Sequence, residues 1–330
     1  MGVENDYTQF TPKLEELTLT SFAFTHAFVP LSMIINFHRL VRLQLLGSSG
    51  GSQDVFVELA ESIEDDDRLR LKHLAVELAG DVLSDEIPPL KLALIRIYRA
   101  CEPLESFHIR VSHVDIALLD LLLALNIPPH NLQSLSFHTS EWNWGRYNQD
   151  AVDMLFRVSQ DRFRQVKQLA VYFEEAAMLG GLWGEEGNFA ILMTFLREFR
   201  ELRLLHLCLP HSRQMGRSEN EWDPALLVLQ LQTFANRFFE FIGPESKLDA
   251  LVIGHVATLK SPENPPVHRR PLPQQCFLRG EQRDILGRTV PVAVPVTRMM
   301  LRETQPYTDI LEVDHHSAAD NWEAWATRAM

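Results

Sequence analysis

Leu40-Val41-Arg42-Leu43-Gln44-Leu45 sets the reading of this chain, because its apolar anchors stand at the first, fourth and sixth positions. The same spacing returns as Leu202-Arg203-Leu204-Leu205-His206-Leu207. Two anchors separated by one residue put both side chains on one face of a short strand, and the leading anchor brings the chain into it. The template apolar-x-x-apolar-x-apolar occurs eight times. It begins at Leu14/Leu17/Leu19, Leu40/Leu43/Leu45, Leu71/Leu74/Val76 and Leu104/Phe107/Ile109. It continues at Leu132/Leu135/Phe137, Val166/Leu169/Val171, Leu202/Leu205/Leu207 and Leu248/Leu251/Ile253. The middle residues step by 26, 31, 33, 28, 34, 36 and 46 residues. A unit of that length holds one strand and one helix, which cannot bury its own apolar face, so neighbouring units must stack and share a core.

Helical periodicity falls between the strands, at Leu31–His38, Val55–Ile63, Leu90–Cys101, Ile116–Leu125, Ala151–Phe163, Phe189–Phe199 and Ala225–Ile242. In the last of these, Leu227, Leu231, Phe234, Phe238 and Phe241 form a stripe expected to face the strands. Ser52 or Asp54 can cap a helix after Gly50-Gly51, Asp85 precedes a first turn containing Pro88, and Asp223-Pro224 has the order of an N-cap and its following proline. The polar stretch Ser212–Asp223 reads as a surface loop inserted into the widest unit. The expected organisation is therefore an α/β solenoid of about eight units over residues 1–260, with a parallel sheet on its concave side. A Pro-rich linker follows at 261–274 and a C-terminal cap at 275–330. Within the cap, Cys276–Arg279 and Val290–Val296 read as two extended segments around Gly280–Gly287, and Pro291 and Pro295 mark the second as an edge. Ser317–Met330, with Trp322 and Trp325, reads as an amphipathic helix that either packs on the cap or offers a peptide anchor, packing being the plainer reading.

Lys and Arg number 31 against 44 Asp and Glu, giving a formal charge of −13, which opposes nucleic acid and anionic lipid as partners. Cys101, Cys208 and Cys276 lie far apart with no CxxC spacing, unlike a secreted disulfide scaffold or a four-ligand zinc site. The start, with Glu4 and Asp6, lacks the basic and apolar regions of a secretory signal, and no apolar run reaches membrane-spanning length. The expectation is a cytoplasmic or nuclear protein without cofactor, metal site or membrane partner.

The leucine spacing and strand-helix alternation resemble the irregular leucine-rich-repeat proteins of the fungal F-box type. Five C-terminal runs add to the resemblance: Gln275-Cys276-Phe277-Leu278-Arg279-Gly280, Leu286-Gly287-Arg288, Ala293-Val294-Pro295-Val296, Arg302-Glu303 and Asp309-Ile310-Leu311. It implies a non-catalytic protein-interaction module related to the substrate-recognition part of ubiquitin-ligase receptors. The first repeat opens at Leu14, and Met1–Lys13 holds no Leu-Pro-x-Glu-type opening, so the F-box that docks a ligase adaptor is expected to be absent. The resemblance then implies recognition alone, by a protein or peptide partner on the concave face.

Strand residues between the anchors point to that face. They form an inner column of Thr18, Gln44, Ala75, His108, Ser136, Ala170, His206 and Val252. The outer column is Thr20, Leu46, Glu77, Arg110, His138, Tyr172, Cys208 and Gly254. The expected partner-binding residues are His108, Arg110, His138, Tyr172 and His206, on strands about 4.8 Å apart, where donors mix with an aromatic surface.

Three motifs offer chemistry instead. Gly47-Ser48-Ser49-Gly50-Gly51 matches the G-x-S-x-G elbow of a serine hydrolase, with Asp249 and His255, or Asp309 and His315, able to complete a triad. Fewer than 50 residues precede Ser49 and no oxyanion His-Gly-Gly run exists, so catalysis is the alternative rather than the main reading. Gly180–Gly187 lacks the ending of a phosphate-binding loop and carries Glu185 and Glu186. Asp314-His315-His316 and Glu64–Asp67 have the residue types of metal ligands without the accompanying clusters, and read as solvated turns. An assembly scaffold is a third functional reading.

Overall fold

The computed structural model describes residues 14–20, 35–46, 57–63, 68–78, 87–101, 103–111, 131–139, 165–172, 193, 196–197, 199–208, 224–254 and 275–304. The chain divides into two compact units, Met1–Leu132 and Gln133–Met330. Ten strands lie among the described residues, most of them parallel, making the protein α/β. All eight predicted strands are present.

In the first unit β1 (Glu16–Thr20), β2 (Arg42–Leu46), β3 (His73–Leu78) and β4 (Ser106–Val111) run parallel in sequence order. The middle anchors stand opposite one another: Leu17 beside Leu43, Leu43 beside Leu74, Leu74 beside Phe107. From Leu40 to Ile109 every anchor is buried. Helix α1 (Ile87–Ala100) adds Ala93, Ile97 and Tyr98 to that core, and the Tyr98 ring lies 5.7 Å from Phe107. Its prolines, Pro88 and Pro89, occupy the first turn, where a missing N–H removes no intrahelical bond.

The second unit repeats the pattern with β5 (Ser134–Thr139), β6 (Gln168–Tyr172), β7 (Leu204–Cys208) and β8 (Ala250–Gly254), again parallel and in register. Leu135, Leu169, Leu205 and Leu251 form its row of buried middle anchors. Helix α2 (Pro224–Ile242) starts at the proline of the Asp-Pro pair. Leu231, Phe234 and Phe238 are buried as the stripe predicts, but Phe241 is 57% exposed and Ile242 takes its place in the core beside Phe239. The four-three spacing averages 3.5 residues against 3.6 for the helix, so the stripe drifts off the buried face over its length.

One backbone contact recurs in both units. The carbonyl just after the leading anchor accepts two N–H groups from the next unit. Glu15 receives Val41 and Arg42 at 2.7 and 3.1 Å, Val41 receives Lys72 and His73 at 2.8 and 3.1 Å, and Lys72 receives Glu105 and Ser106 at 2.8 and 2.9 Å. Gln133, Lys167 and Arg203 do the same for the pairs Lys167/Gln168, Arg203/Leu204 and Asp249/Ala250. Side chains at this position also pair between units: Lys72 with Glu105 at 2.7 Å, Lys167 with Gln133 at 3.0 Å and Arg203 with Asp249 at 3.1 Å. The same bonding therefore recurs although the sequence separation between strands differs.

The parallel run ends in a hairpin. Strand β9 (Gln275–Arg283) lies antiparallel to β8, and β10 (Thr289–Val296) antiparallel to β9. The expected edge is found, and it is closed chemically. Ala293 donates its N–H to Asn236 Oδ1 at 2.8 Å and accepts from Gln232 Nε2 at 2.7 Å, so two α2 side chains stand where another strand would bond. Outward N–H groups recur every second residue, and the flanking positions are Pro291 and Pro295, which have none. Arg279 fastens the hairpin to the end of α2 by donating to the carbonyls of Gly243 at 2.8 Å and Ser246 at 3.0 Å. The short helix α3 (Arg298–Thr304), absent from the sequence reading, follows β10, with Thr297 Oγ1 accepting from Met300 N at 3.2 Å. The linker at 261–274 and the tail from Ser317 lie outside the described residues.

Candidate interaction face

Strand alternation sends the inner column to the side opposite the anchors. In the first unit this row runs from exposed Thr18, which donates to Gln44 Oε1 at 3.1 Å, through buried Gln44, Ala75 and His108. In the second unit it comprises Ser136, Ala170, His206 and Val252, all buried, and Ser134 donates to Gln168 Oε1 at 3.4 Å. The expectation of an open strand face is thus corrected at two of its chosen positions. His108 is 2% exposed and His206 is 0% exposed. Neither side chain meets solvent.

For His206 the neighbouring core is visible. Register places it between Ala170 and Val252, with Cys276 next along the row beyond Val252. Leu301 of α3 seals a core made by Ala170, Leu204, Ala250, Val252 and Cys276, with Leu278 and Val296 at its margin. The face read as concave and free is at this end a second core, closed by a helix about a hundred residues further along the chain. Burial drives the His206 imidazole down to about 4, helped by the Arg298 charge and opposed by a hydrogen bond to the Gly254 backbone. The ring is neutral near pH 7. Burial also pushes the Cys276 thiol up to about 11, against the pull of Arg298, and the Cys101 thiol up to about 12. Neither thiol is primed as a nucleophile.

The other three chosen residues are placed by backbone alone. Arg110 lies on β4 opposite Glu77 of β3, His138 on β5 one position beyond the Phe137–Val171 pair, and Tyr172 ends β6 opposite Cys208. His108 and Arg110 belong to the first unit, whereas His138, Tyr172 and His206 belong to the second. The side chains of Arg110, His138 and Tyr172 lie outside the described residues.

Of the hydrolase candidates only Asp249 is described, and its carboxylate pairs with Arg203 Nη1 at 3.1 Å. Ser49, His255, Asp309 and His315 lie outside the described residues, as do Gly180–Gly187, Glu64–Asp67 and Asp314-His315-His316. Among the described residues there is no group of three His, Cys, Asp or Glu able to hold a metal ion, and no helix long and apolar enough to cross a membrane.

Sequence reading missed one exposed feature, an aliphatic pair on the turn between β9 and β10. Ile285 is 102% exposed and Leu286 is 70% exposed. Two adjacent aliphatic residues in a segment otherwise read as a turn were the available signal. No protein-family model, no curated protein and no solved structure matches this chain.

Proposed function

We propose that this chain is a non-catalytic protein-interaction module, a leucine-rich-repeat-like solenoid serving as the substrate-recognition part of an F-box-type receptor system in the cytoplasm or nucleus. The observation that carries the reading is the recurring carbonyl at Glu15, Val41, Lys72, Gln133, Lys167 and Arg203, each receiving two N–H groups from the following unit. Such repetition holds strand ends at a constant pitch while the connecting segments vary, which favours a surface ordered before its partner arrives. Preorganisation lowers the entropy lost on association. Because His108 and His206 are buried, partner contact falls to the outer column, with His138 on β5 and Tyr172 on β6 in the second unit and Arg110 on β4 in the first.

Affinity purification of the full chain tests this. The expected result is a discrete protein partner whose recovery drops at least about tenfold in His138→Ala/Tyr172→Ala, the loss typical of interface anchors. Recovery unchanged in that variant and in Arg110→Ala removes the outer column from the account. Absence of every ligase component from the purified complex removes the receptor assignment.

A further inference from the structure

We propose that the β9–β10 turn is a docking finger, which inserts Ile285 and Leu286 into a small apolar pocket, rimmed by carboxylates, on a partner protein. Strand β9 pairs with β8 only over Gln275–Leu278, while β9 and β10 continue together from Arg279/Ala293 to Arg283/Thr289. The two strands thus run past the end of β8 pairing as a ribbon and present the turn at its end.

That turn is built to hold a fixed shape. Asp284 N–H donates to the Arg288 carbonyl at 2.9 Å, and Gly287 N–H donates to the Asp284 carbonyl at 2.9 Å. Asp284 Oδ1 accepts from the N–H groups of Leu286 and Arg288, both at 2.8 Å, and Oδ2 accepts from Arg288 Nε at 2.7 Å. Gly287 sits at φ +76, which glycine adopts without strain. Four of the turn's N–H groups are satisfied internally, so covering the turn strands few polar groups. Fixed aliphatic side chains with a self-satisfied backbone are what an apolar pocket accepts at little ordering cost.

Charge selects the rim. Across 275–304 there are five arginines, at 279, 283, 288, 298 and 302, against Glu281, Asp284 and Glu303. This is a locally basic stretch in a chain of net charge −13. Arg283 and Arg288 flank the aliphatic pair, both exposed; Arg288 is paired with Asp284, so Arg283 supplies the positive charge that a complementary pocket meets with acids at its margin. An anionic bilayer also offers negative charge over apolar material. Two aliphatic side chains are a weak membrane anchor, however, and the acidic remainder of the chain opposes approach to such a surface.

The proposal rests on the interaction-module reading and is tested separately from it. Benzoylphenylalanine is placed at position 285 of the full chain, or at exposed Thr233 on α2 as a control, and irradiated in cells that make the protein. The expected result is a covalent adduct with one distinct protein from position 285 and not from 233. Adduct yield should fall at least about tenfold with Leu286→Asp and stay unchanged with Leu229→Asp, which alters an exposed leucine on α2. With that partner purified, Ile285→Asp should raise Kd by about 10- to 100-fold while leaving the melting temperature unchanged. No adduct from 285, an adduct indifferent to Leu286→Asp, an adduct between two copies of this chain, or flotation with phosphatidylcholine–phosphatidylserine vesicles overturns the docking finger. A partner that binds normally to Ile285→Asp overturns the finger and leaves the interaction module standing.

Discussion

Replacing Leu301 with Ala should open the second core in a way that Cys276 reports. Leu301 is the one buried residue of the seven-residue helix α3 and shares a buried core with Ala170, Leu204, Ala250, Val252 and Cys276. Truncating a leucine in such a site costs about 3 kcal/mol, the transfer of the lost methyls plus the cavity they leave. A helix of two turns has little stability of its own, so most of that loss should appear as local release of α3. Cys276 reacts with a thiol reagent only when uncovered. Three kcal/mol therefore raises its modification rate roughly 100-fold, at about tenfold per 1.4 kcal/mol. The assay is iodoacetamide labelling resolved cysteine by cysteine by mass spectrometry. Cys101, buried in the first unit, is the internal standard and should not change. If Cys276 labels at the parent rate and urea unfolding moves by less than about 1 kcal/mol, α3 does not close this face.

Three further outcomes follow from the same geometry. His206 is held neutral with its native value near 4 against an ordinary 6.5. Between those values the unfolded chain binds a proton that the folded chain refuses, so its contribution is intact above pH 6.5 and is lost as pH falls toward 4. The slope is about 1.4 kcal/mol per pH unit and should be missing from His206→Gln, measured as the difference between the two stability profiles; parallel profiles contradict the assignment. Replacing Gln232 and Asn236 together with Ala leaves the Ala293 N–H and carbonyl without their helix partners and should cost about 1–3 kcal/mol in urea unfolding, with greater self-association at the bared edge; an unchanged midpoint refutes the edge account. Lys72→Ala removes a half-exposed ion pair with Glu105 and should shift stability by no more than about 1 kcal/mol; a larger loss would mean the ladder carries the stacking.

The strands were legible because their signal is double: period two inside each strand and a recurrence at steps of 26 to 46 residues. Leu43, Leu74 and Phe107 in the first unit, and Leu135, Leu169, Leu205 and Leu251 in the second, could each occupy a buried row only if the repeats stacked. Pro291 and Pro295 were legible as an edge because a missing N–H has one place in a sheet. What alternation does not tell is what lies on the second face. His206 is buried in a row whose neighbours Ala170 and Val252 share a core with Leu301, nearly a hundred positions further along the chain. Helix α3 itself is too short for periodicity and follows directly on a proline-bearing strand, so its single cue was Thr297 before Met300 and Leu301. Phe241 was misplaced by extending a spacing that fits five residues into one that should fit nineteen. The hairpin turn was recognised as a turn, yet its composition carries no direct statement that Ile285 and Leu286 stay uncovered.

The stacking of units in fixed register is the central claim, and zero-length carbodiimide coupling tests it most directly, since it joins only amines and carboxylates already in contact. Lys72 Nζ lies 2.7 Å from Glu105 Oε1 and Lys247 Nζ lies 2.6 Å from Glu201 Oε1, each across one boundary between successive repeats. Isopeptide bonds Lys72–Glu105 and Lys247–Glu201 should dominate the cross-linked peptides of the native chain and vanish in urea. Absence of both, with lysines 72 and 247 coupled instead to carboxylates of non-adjacent units, would contradict the stacked row.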